Sequence, residues 1–371
     1  VGMAGMTLNV AFVWRTLTLS LCLLATASSF LLPKNLPTAL GCVGNLQLRP
    51  RQCTGRGIRF GSLALQSSDL ASQPDPWSLI EEGIDVIPSD STHDLGFSFT
   101  CSGLHFIYQL GVVKTLLDRG VIVPGTPMAG SSGGSIVVAT TAAGLDPDDV
   151  FRMSREMFEK IDASGESGFG KFGEHLGGVL DKAFPVDAHK IVNAWDGGAL
   201  IGVSTLSPTP TPLLVASFES RSSLIEAVLA SCHIPFYTAV SPVQRLSSHD
   251  LHANDGFFAR VGTLGAPASR ARKSCIVSPF SAKLMSPKRI ALRSRITQDK
   301  RPIIGHARSD PSLLITPQDA RLVETLPSMM FPSQALEGMD QLYADGKQDA
   351  ERWLESPGGI MFRDRSIVYP S

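Results

Sequence analysis

Gly130-Ser131-Ser132-Gly133-Gly134 spells G-x-S-x-G with Ser132 at its centre. The stretch before it, Val121 to Ala129, is a short apolar run with turns. The stretch after it, Ser135 to Ala143, is small, apolar and uncharged, and ends at Gly144. A strand, a tight turn and a helix are what a nucleophile elbow needs. The glycines let the backbone bend sharply and let the helix sit close to a sheet. The first N–H groups of that helix then point toward the serine, where an oxyanion would form.

The same rhythm occurs once before the elbow. Leu95-Gly96-Phe97-Ser98-Phe99-Thr100 alternates and is aromatic, as a strand does. Gly103 follows, and Leu104 to Leu117 places apolar residues at helical spacing until Asp118-Arg119-Gly120. Two strand–turn–helix units in succession predict a parallel sheet with crossover helices. Further on, Leu145 to Ile161 reads as a helix starting near Pro147. Leu200–Ser204 and Leu213–Phe218 read as strands around the turn Pro208-Thr209-Pro210. Leu224–Ala230 reads as a helix, and Gln334–Glu355 as an amphipathic helix able to cap the domain. Ser286 to Ser312 is basic and irregular and reads as surface loop.

Composition separates the chain into a leader and a body. No Asp or Glu precedes Asp69, while Arg15, Lys34, Arg49, Arg51, Arg56 and Arg59 fall within the leader. The rest of the chain holds 27 basic against 34 acidic residues, and no basic stripe favours nucleic acid. Residues 1–29 have a signal-peptide pattern, with Arg15, the apolar run Leu17–Ala25 and small residues before Phe30. Residues 30–68 are acid-free and unpatterned, like a transit peptide. Together they resemble the two-part plastid leaders of algae with secondary plastids; the alternative is a secretory or endomembrane signal followed by a plain linker. The first residue is Val, so the start is expected at Met3, at Met6 or before Val1. Residues 69–94 read as a polar linker, 95–285 as the catalytic domain, and 286–371 as a C-terminal extension.

Of six cysteines, Cys22, Cys42 and Cys53 lie in the leader. Cys101, Cys232 and Cys275 have no metal-ligand or disulfide spacing, so no metal or other cofactor is expected. Cys101 and Cys232 read as small buried residues.

A serine hydroxyl needs a base. None of the eight histidines sits in a supporting motif, including His306 late in the chain. Asn254-Asp255-Gly256 is an ordinary Asp-Gly turn when read alone. Together with the elbow it supplies a candidate carboxylate more than a hundred residues from Ser132.

Four stretches carry a resemblance to the patatin-like phospholipases. They are Phe97–Gly103 running into Tyr108–Val112, Met128–Ser135 around Gly130, Ser132 and Gly134, Ala230-Ser231-Cys232-His233-Ile234-Pro235, and Asn254-Asp255-Gly256. The resemblance runs from about Leu95 to Phe280. Val277–Phe280 and Tyr343–Gly346 place it nearer the animal-type lipid-droplet branch than plant storage proteins. It implies a three-layer α/β sandwich with a central, mostly parallel sheet. It further implies a Ser132–Asp255 dyad that cleaves fatty-acyl esters of glycerolipids at a membrane or lipid-droplet surface. Backbone N–H groups of Cys101, Ser102, Gly103 and Gly133 would form the oxyanion hole. The family's first loop is G-x-G-x-x-G, whereas here those positions are Cys101, Gly103 and Phe106, with His105 where Arg or Lys occurs. Phe257 replaces a small residue after Asp255-Gly256. A lipid transacylase with the same dyad and a non-catalytic lipid-surface binder are the alternatives.

Overall fold

The computed structural model describes residues 81–82, 93–165, 168–205, 211–260, 263–281, 311–317 and 328–366. The signal-like and transit-like segments, nearly all of the linker, the Pro208–Pro210 turn and almost all of Ser286–Ser312 lie outside these described residues.

The chain folds around one sheet. Its strands are β1 (Glu81–Glu82), β2 (Leu95–Phe99), β3 (Met128–Ser131), β4 (Ala199–Thr205), β5 (Thr211–Val215), β6 (Gln244–Leu246), β7 (Leu251–Asp255), β8 (Lys273–Val277) and β9 (Leu314–Ile315). The order is β1-β5-β4-β3-β2-β8-β9, with the β6–β7 hairpin joined to β4 through β7. Strands β4, β3, β2, β8 and β9 run parallel. The β1, β5, β6 and β7 pairings are antiparallel. Helices flank this sheet, which gives the expected α/β sandwich. Among the described residues they are α1 (Phe106–Asp118), α2 (Gly133–Ala142), α3 (Pro147–Ala163), α4 (Phe172–Ala183), α5 (Ala188–Asn193), α6 (Arg221–Ser231), α7 (Pro332–Leu354) and α8 (Pro357–Ser366).

Local chemistry explains the boundaries. Helix α1 stops two residues before Gly120, which takes φ 66°, and α2 two residues before Gly144 at φ 79°. Only glycine adopts that left-handed turn without a Cβ penalty. Asp146 caps α3 by accepting from the Asp148 N–H, with Pro147 in the first turn. Ser220 and Ser223 form a reciprocal capping box at the start of α6. Every residue of α2 is buried, which is why its sequence shows no polar face.

Some elements had weak signals. Helix α4 carries Gly173, Gly177 and Gly178, each unfavourable in a helix by roughly 1 kcal/mol relative to Ala. Packing of Phe172, Leu176 and Leu180 into the core overrides that cost. The strand expected to reach Phe218 ends at Val215. Strand β8 and helix α8 have no counterpart in the sequence reading.

The C-terminal segment completes the body. Strand β9 pairs in parallel with β8, and α7 packs lengthwise on α1. A Cβ on Gly111 would lie 2.2 Å from the Tyr343 carbonyl oxygen, and one on Gly346 would lie 2.1 Å from the Tyr108 carbonyl oxygen. The two backbones are therefore in contact at the crossing. Tyr108 Oη donates to Asp349 Oδ2 at 2.9 Å beside it. Phe97 of β2, Trp353 of α7 and Phe362 of α8 form an aromatic cluster with centroids 5.0–6.1 Å apart.

Candidate active site

Strand register explains how residues far apart in the chain converge. Strand β3 pairs with β4 up to Ser131 opposite Gly202. Strand β7 pairs with β4 from Val203 opposite Asp255 to Thr205 opposite Ala253. The other edge of β4 is taken by β5 over the same residues. Strand β7 therefore enters the lane that β3 has just left, running the opposite way. The chain of β3 must turn out of the sheet at Ser132, and the strand coming toward it ends at Asp255.

The turn is sharp. Ser132 has φ 54° and ψ −131°, a conformation rare for a residue with a side chain. Such backbone costs of order 1–3 kcal/mol and persists only where its surroundings enforce it. Neighbouring glycines are required by close approach. A Cβ on Gly130 would sit 2.2 Å from the Gly134 carbonyl oxygen, and one on Gly134 would sit 2.7 Å from the Phe99 and Thr100 carbonyl oxygens. A Cβ on Gly256 would fall 2.4 Å from the Gly202 carbonyl oxygen and 2.5 Å from Ser131 Oγ.

The turn after α6 holds both halves of the site. The Ser132 N–H donates to Ser231 Oγ at 2.8 Å, and that hydroxyl donates to the Gly202 carbonyl at 2.6 Å. The Asp255 N–H donates to the His233 carbonyl at 2.9 Å, and the Gly256 N–H to the Ser231 carbonyl at 3.3 Å. One short segment thus ties the elbow, β4 and the end of β7 together. In the sequence this segment stands out by its resemblance alone, which gives Ser231 no role. The signal was present, but a serine that holds two backbone groups is indistinguishable in sequence from any small helix-end residue.

Ser132 and Asp255 are both buried, and both are tied through their backbone N–H groups to the turn that holds Ser231 and His233. Burial pushes the Asp255 carboxyl up to about 6. The hydrogen bonds from the Phe257 N–H and the Cys101 thiol, and the nearby Ser132 hydroxyl, act the other way, because each favours the charged form. A carboxylate poised near neutral pH is matched to accepting a proton at that pH. His233 lies close in the chain, but its ring bonds the Ser241 carbonyl and Thr238 Oγ1, and burial lowers it to about 4. His105 is likewise lowered to about 4 by burial and contacts Ser328 Oγ at 2.8 Å. Among the described histidines, these two buried rings hydrogen-bond away from Ser132 and Asp255.

The first loop lies against the elbow. A Cβ on Gly133 would meet Ser102 Oγ at 2.3 Å and the Gly103 carbonyl oxygen at 2.6 Å. Ser102 Oγ donates to Gln109 Oε1 at 3.1 Å, and Gln109 Nε2 donates to the Thr100 and Val277 carbonyls. Gln109 thereby fastens the loop to the ends of β2 and β8. Gly103 keeps φ 51°, so the one family glycine retained in this loop sits where positive φ is needed. The N–H groups of Ser102, Gly103 and Gly133 donate to no acceptor among the described residues and remain able to meet an oxyanion.

Cys101 is a correction. Its N–H was expected in the oxyanion hole, but it donates to the Leu264 carbonyl at 3.0 Å. A donor already committed to a buried carbonyl cannot turn to a substrate oxygen without orphaning that carbonyl. Cys101 contributes its side chain instead, with Sγ 3.4 Å from Asp255 Oδ1. Cys101 and Cys232 are buried, as expected. Among the described residues no group of three or more His, Cys, Asp or Glu side chains is arranged to hold a metal ion. None of the described helices is long and apolar enough to cross a membrane.

Residues 97–256 match the family model of the patatin-like phospholipases. The chain is 25% identical over 272 residues to the human patatin-like phospholipase domain-containing protein 4, covering 70% of this chain and 96% of that protein. It is 25% identical over 168 residues to the human omega-hydroxyceramide transacylase, covering 44% of this chain and 30% of that protein. It is 22% identical over 154 residues to the human 1-acylglycerol-3-phosphate O-acyltransferase, covering 40% and 31%. The chain thus matches less than a third of the length of the transacylase and the acyltransferase.

Proposed function

We propose, from the premise that the domain over residues 97–256 belongs to the patatin-like phospholipase family, that this chain is a serine lipid acyl hydrolase working through a Ser132–Asp255 dyad. The family supports a lipid acyl hydrolase or acyltransferase. The observation that carries the finer reading is the convergence, on one turn after α6, of Ser132 on a strained elbow and the buried Asp255 carboxyl raised to about 6.

The steps follow from the geometry. Asp255 accepts the Ser132 proton as Oγ bonds to the ester carbonyl carbon, and the carbonyl electron pair moves onto oxygen. The N–H groups of Ser102, Gly103 and Gly133 receive that oxyanion; losing one such donor costs roughly 3 kcal/mol in related chemistry. Collapse breaks the ester C–O bond, and the leaving alkoxide takes the proton from Asp255. Water then attacks the acyl-enzyme, Asp255 takes its proton, and fatty acid leaves with Ser132 restored. Substrates are glycerolipids at a membrane or lipid-droplet surface, whether phospholipid, galactolipid or neutral lipid. A plastid location follows from the two-part leader, with secretion or the endomembrane system as the other destination.

Transfer of the acyl group to an alcohol is the second reading. It is favoured by the names of two similar proteins, a transacylase and an O-acyltransferase. The test is fatty-acid release from phosphatidylcholine or monogalactosyldiacylglycerol vesicles, with and without lysolipid or diacylglycerol as acceptor. Hydrolysis predicts free fatty acid lost in Ser132→Ala and in Asp255→Asn. Acylated acceptor at the expense of free acid selects transfer. No turnover and no labelling of Ser132 by a fluorophosphonate would leave a lipid-binding protein.

A further inference from the structure

We propose that the Cys101 thiol is a positioning residue for Asp255, donating to its carboxylate and holding it in the orientation that meets Ser132. This rests on the dyad reading above. Two donors converge on one oxygen: Cys101 Sγ at 3.4 Å and the Phe257 N–H at 2.9 Å both reach Asp255 Oδ1. Two fixed donors on one oxygen set the plane of the carboxylate.

The thiol is itself held. The Cys101 N–H donates to the Leu264 carbonyl, and Leu264 takes φ 53°, a strained value for a branched side chain. Gly265 follows at φ 82°, and a Cβ there would lie 2.0 Å from Cys101 Sγ. The turn after Arg260 therefore leaves a notch that the sulfur fills. Glycine at position 101 could not supply this contact, so the departure from the glycine pattern adds a donor to the site.

The groups facing Asp255 are few. Ser132 comes from the elbow, Cys101 from the first loop, Cys232 from the end of α6 and the Phe257 N–H from its own turn. Ser135 Oγ lies 3.8 Å from Cys232 Sγ. His233 offers Asp255 only its carbonyl. The Arg260 guanidinium donates to the Val203 and Leu213 carbonyls. Burial holds the Cys101 thiol well above its ordinary value, with the Asp255 charge adding to that, so it stays protonated and donates.

A donor to a carboxylate favours its charged form. Removing it should move the acid limb of the kcat/KM profile upward by about half a pH unit, the size of a weak neutral hydrogen bond. The experiment compares full pH profiles of the intact chain, Cys101→Ala and Cys101→Ser on phosphatidylcholine vesicles, with Ser132→Ala as the control. The expected result is an upward limb in Cys101→Ala and a limb at or below the starting value in Cys101→Ser, whose hydroxyl is the stronger donor. A limb unmoved in Cys101→Ala, whatever happens to kcat, overturns the proposal. If Cys101→Ala fails to fold, Cys101→Ser decides alone: a limb at or below the starting value supports the thiol's role, and one that moves up overturns it. Activity surviving in Ser132→Ala would sink the dyad itself, an outcome distinct from failure of the thiol's role.

Discussion

Replacing Ser231 with alanine removes one hydroxyl and should still cripple the site. Two buried backbone groups lose a partner: the Ser132 N–H at 2.8 Å and the Gly202 carbonyl at 2.6 Å. Ser231 is wholly buried, so water has no direct route to replace the hydroxyl. An orphaned buried donor costs about 1–3 kcal/mol. Over a domain of this size that corresponds to a fall in Tm of about 2–12 °C. The elbow loses more than stability. The N–H tie is one of the contacts that keeps Ser132 at φ 54°, and relaxation toward an ordinary conformation would release about 1–3 kcal/mol of backbone strain while moving Oγ away from Asp255. If half of that strain appears as lost transition-state stabilisation, kcat falls by about two- to tenfold. The assay is fatty-acid release kept well below the lowered melting temperature, beside a thermal melt by circular dichroism. Unchanged kcat together with an unchanged Tm would refute the reasoning, since the hub would then bear neither structure nor geometry.

Three further outcomes follow from other positions. At residue 132 the ordinary stability order should invert, with Ser132→Gly melting above Ser132→Ala by about 1 kcal/mol, because glycine alone enters φ 54° freely; paired melts check this. The carboxyl of Asp255 is raised from 3.8 to about 6, so its protonated form is the one that folding favours. Its contribution to stability is full below about pH 4 and is lost as pH rises through about 6, while catalysis, which needs the carboxylate, falls as pH drops through about 6. Asp255→Asn should then be inactive yet more stable at pH 7 by up to about 3 kcal/mol, and lose that margin at pH 4, as read by denaturant titration. Gly346→Ala forces a methyl within 2.1 Å of the Tyr108 carbonyl oxygen, and should cost at least 1–3 kcal/mol through separation of α1 and α7; an unaltered melt would show that the crossing can give way.

Several elements were readable because their causes are local. Helix α3 has its Asp146 cap and Pro147, α1 and α2 have Gly120 and Gly144 beyond their ends, and β2 alternates. Helix α4 was not readable, since three glycines argue against it and only the core contacts of Phe172, Leu176 and Leu180 decide in its favour. Strand β8 is buried along nearly its whole length, so its residues show no alternation to read. The oxyanion loop was half readable. Gly103 could be identified by residue type, but the commitment of the Cys101 N–H to Leu264 depends on a turn more than 160 residues away.

What the amino-acid order alone determined is the set of local devices: an elbow that can bend at Gly130-Ser131-Ser132-Gly133-Gly134, a parallel α/β rhythm, and one carboxylate at a turn. These rest on backbone sterics and periodicity, which act over a few residues. The tertiary structure decided which of those devices meet. Strand β7 occupies the lane that β3 leaves beside β4, and that long-range pairing is what carries Asp255 to Ser132. It also decided that Ser231 ties the elbow and that the Cys101 sulfur faces the carboxylate. Contacts of this kind are set by sheet register and by how layers close on one another, and neither is written in the spacing of residues along the chain.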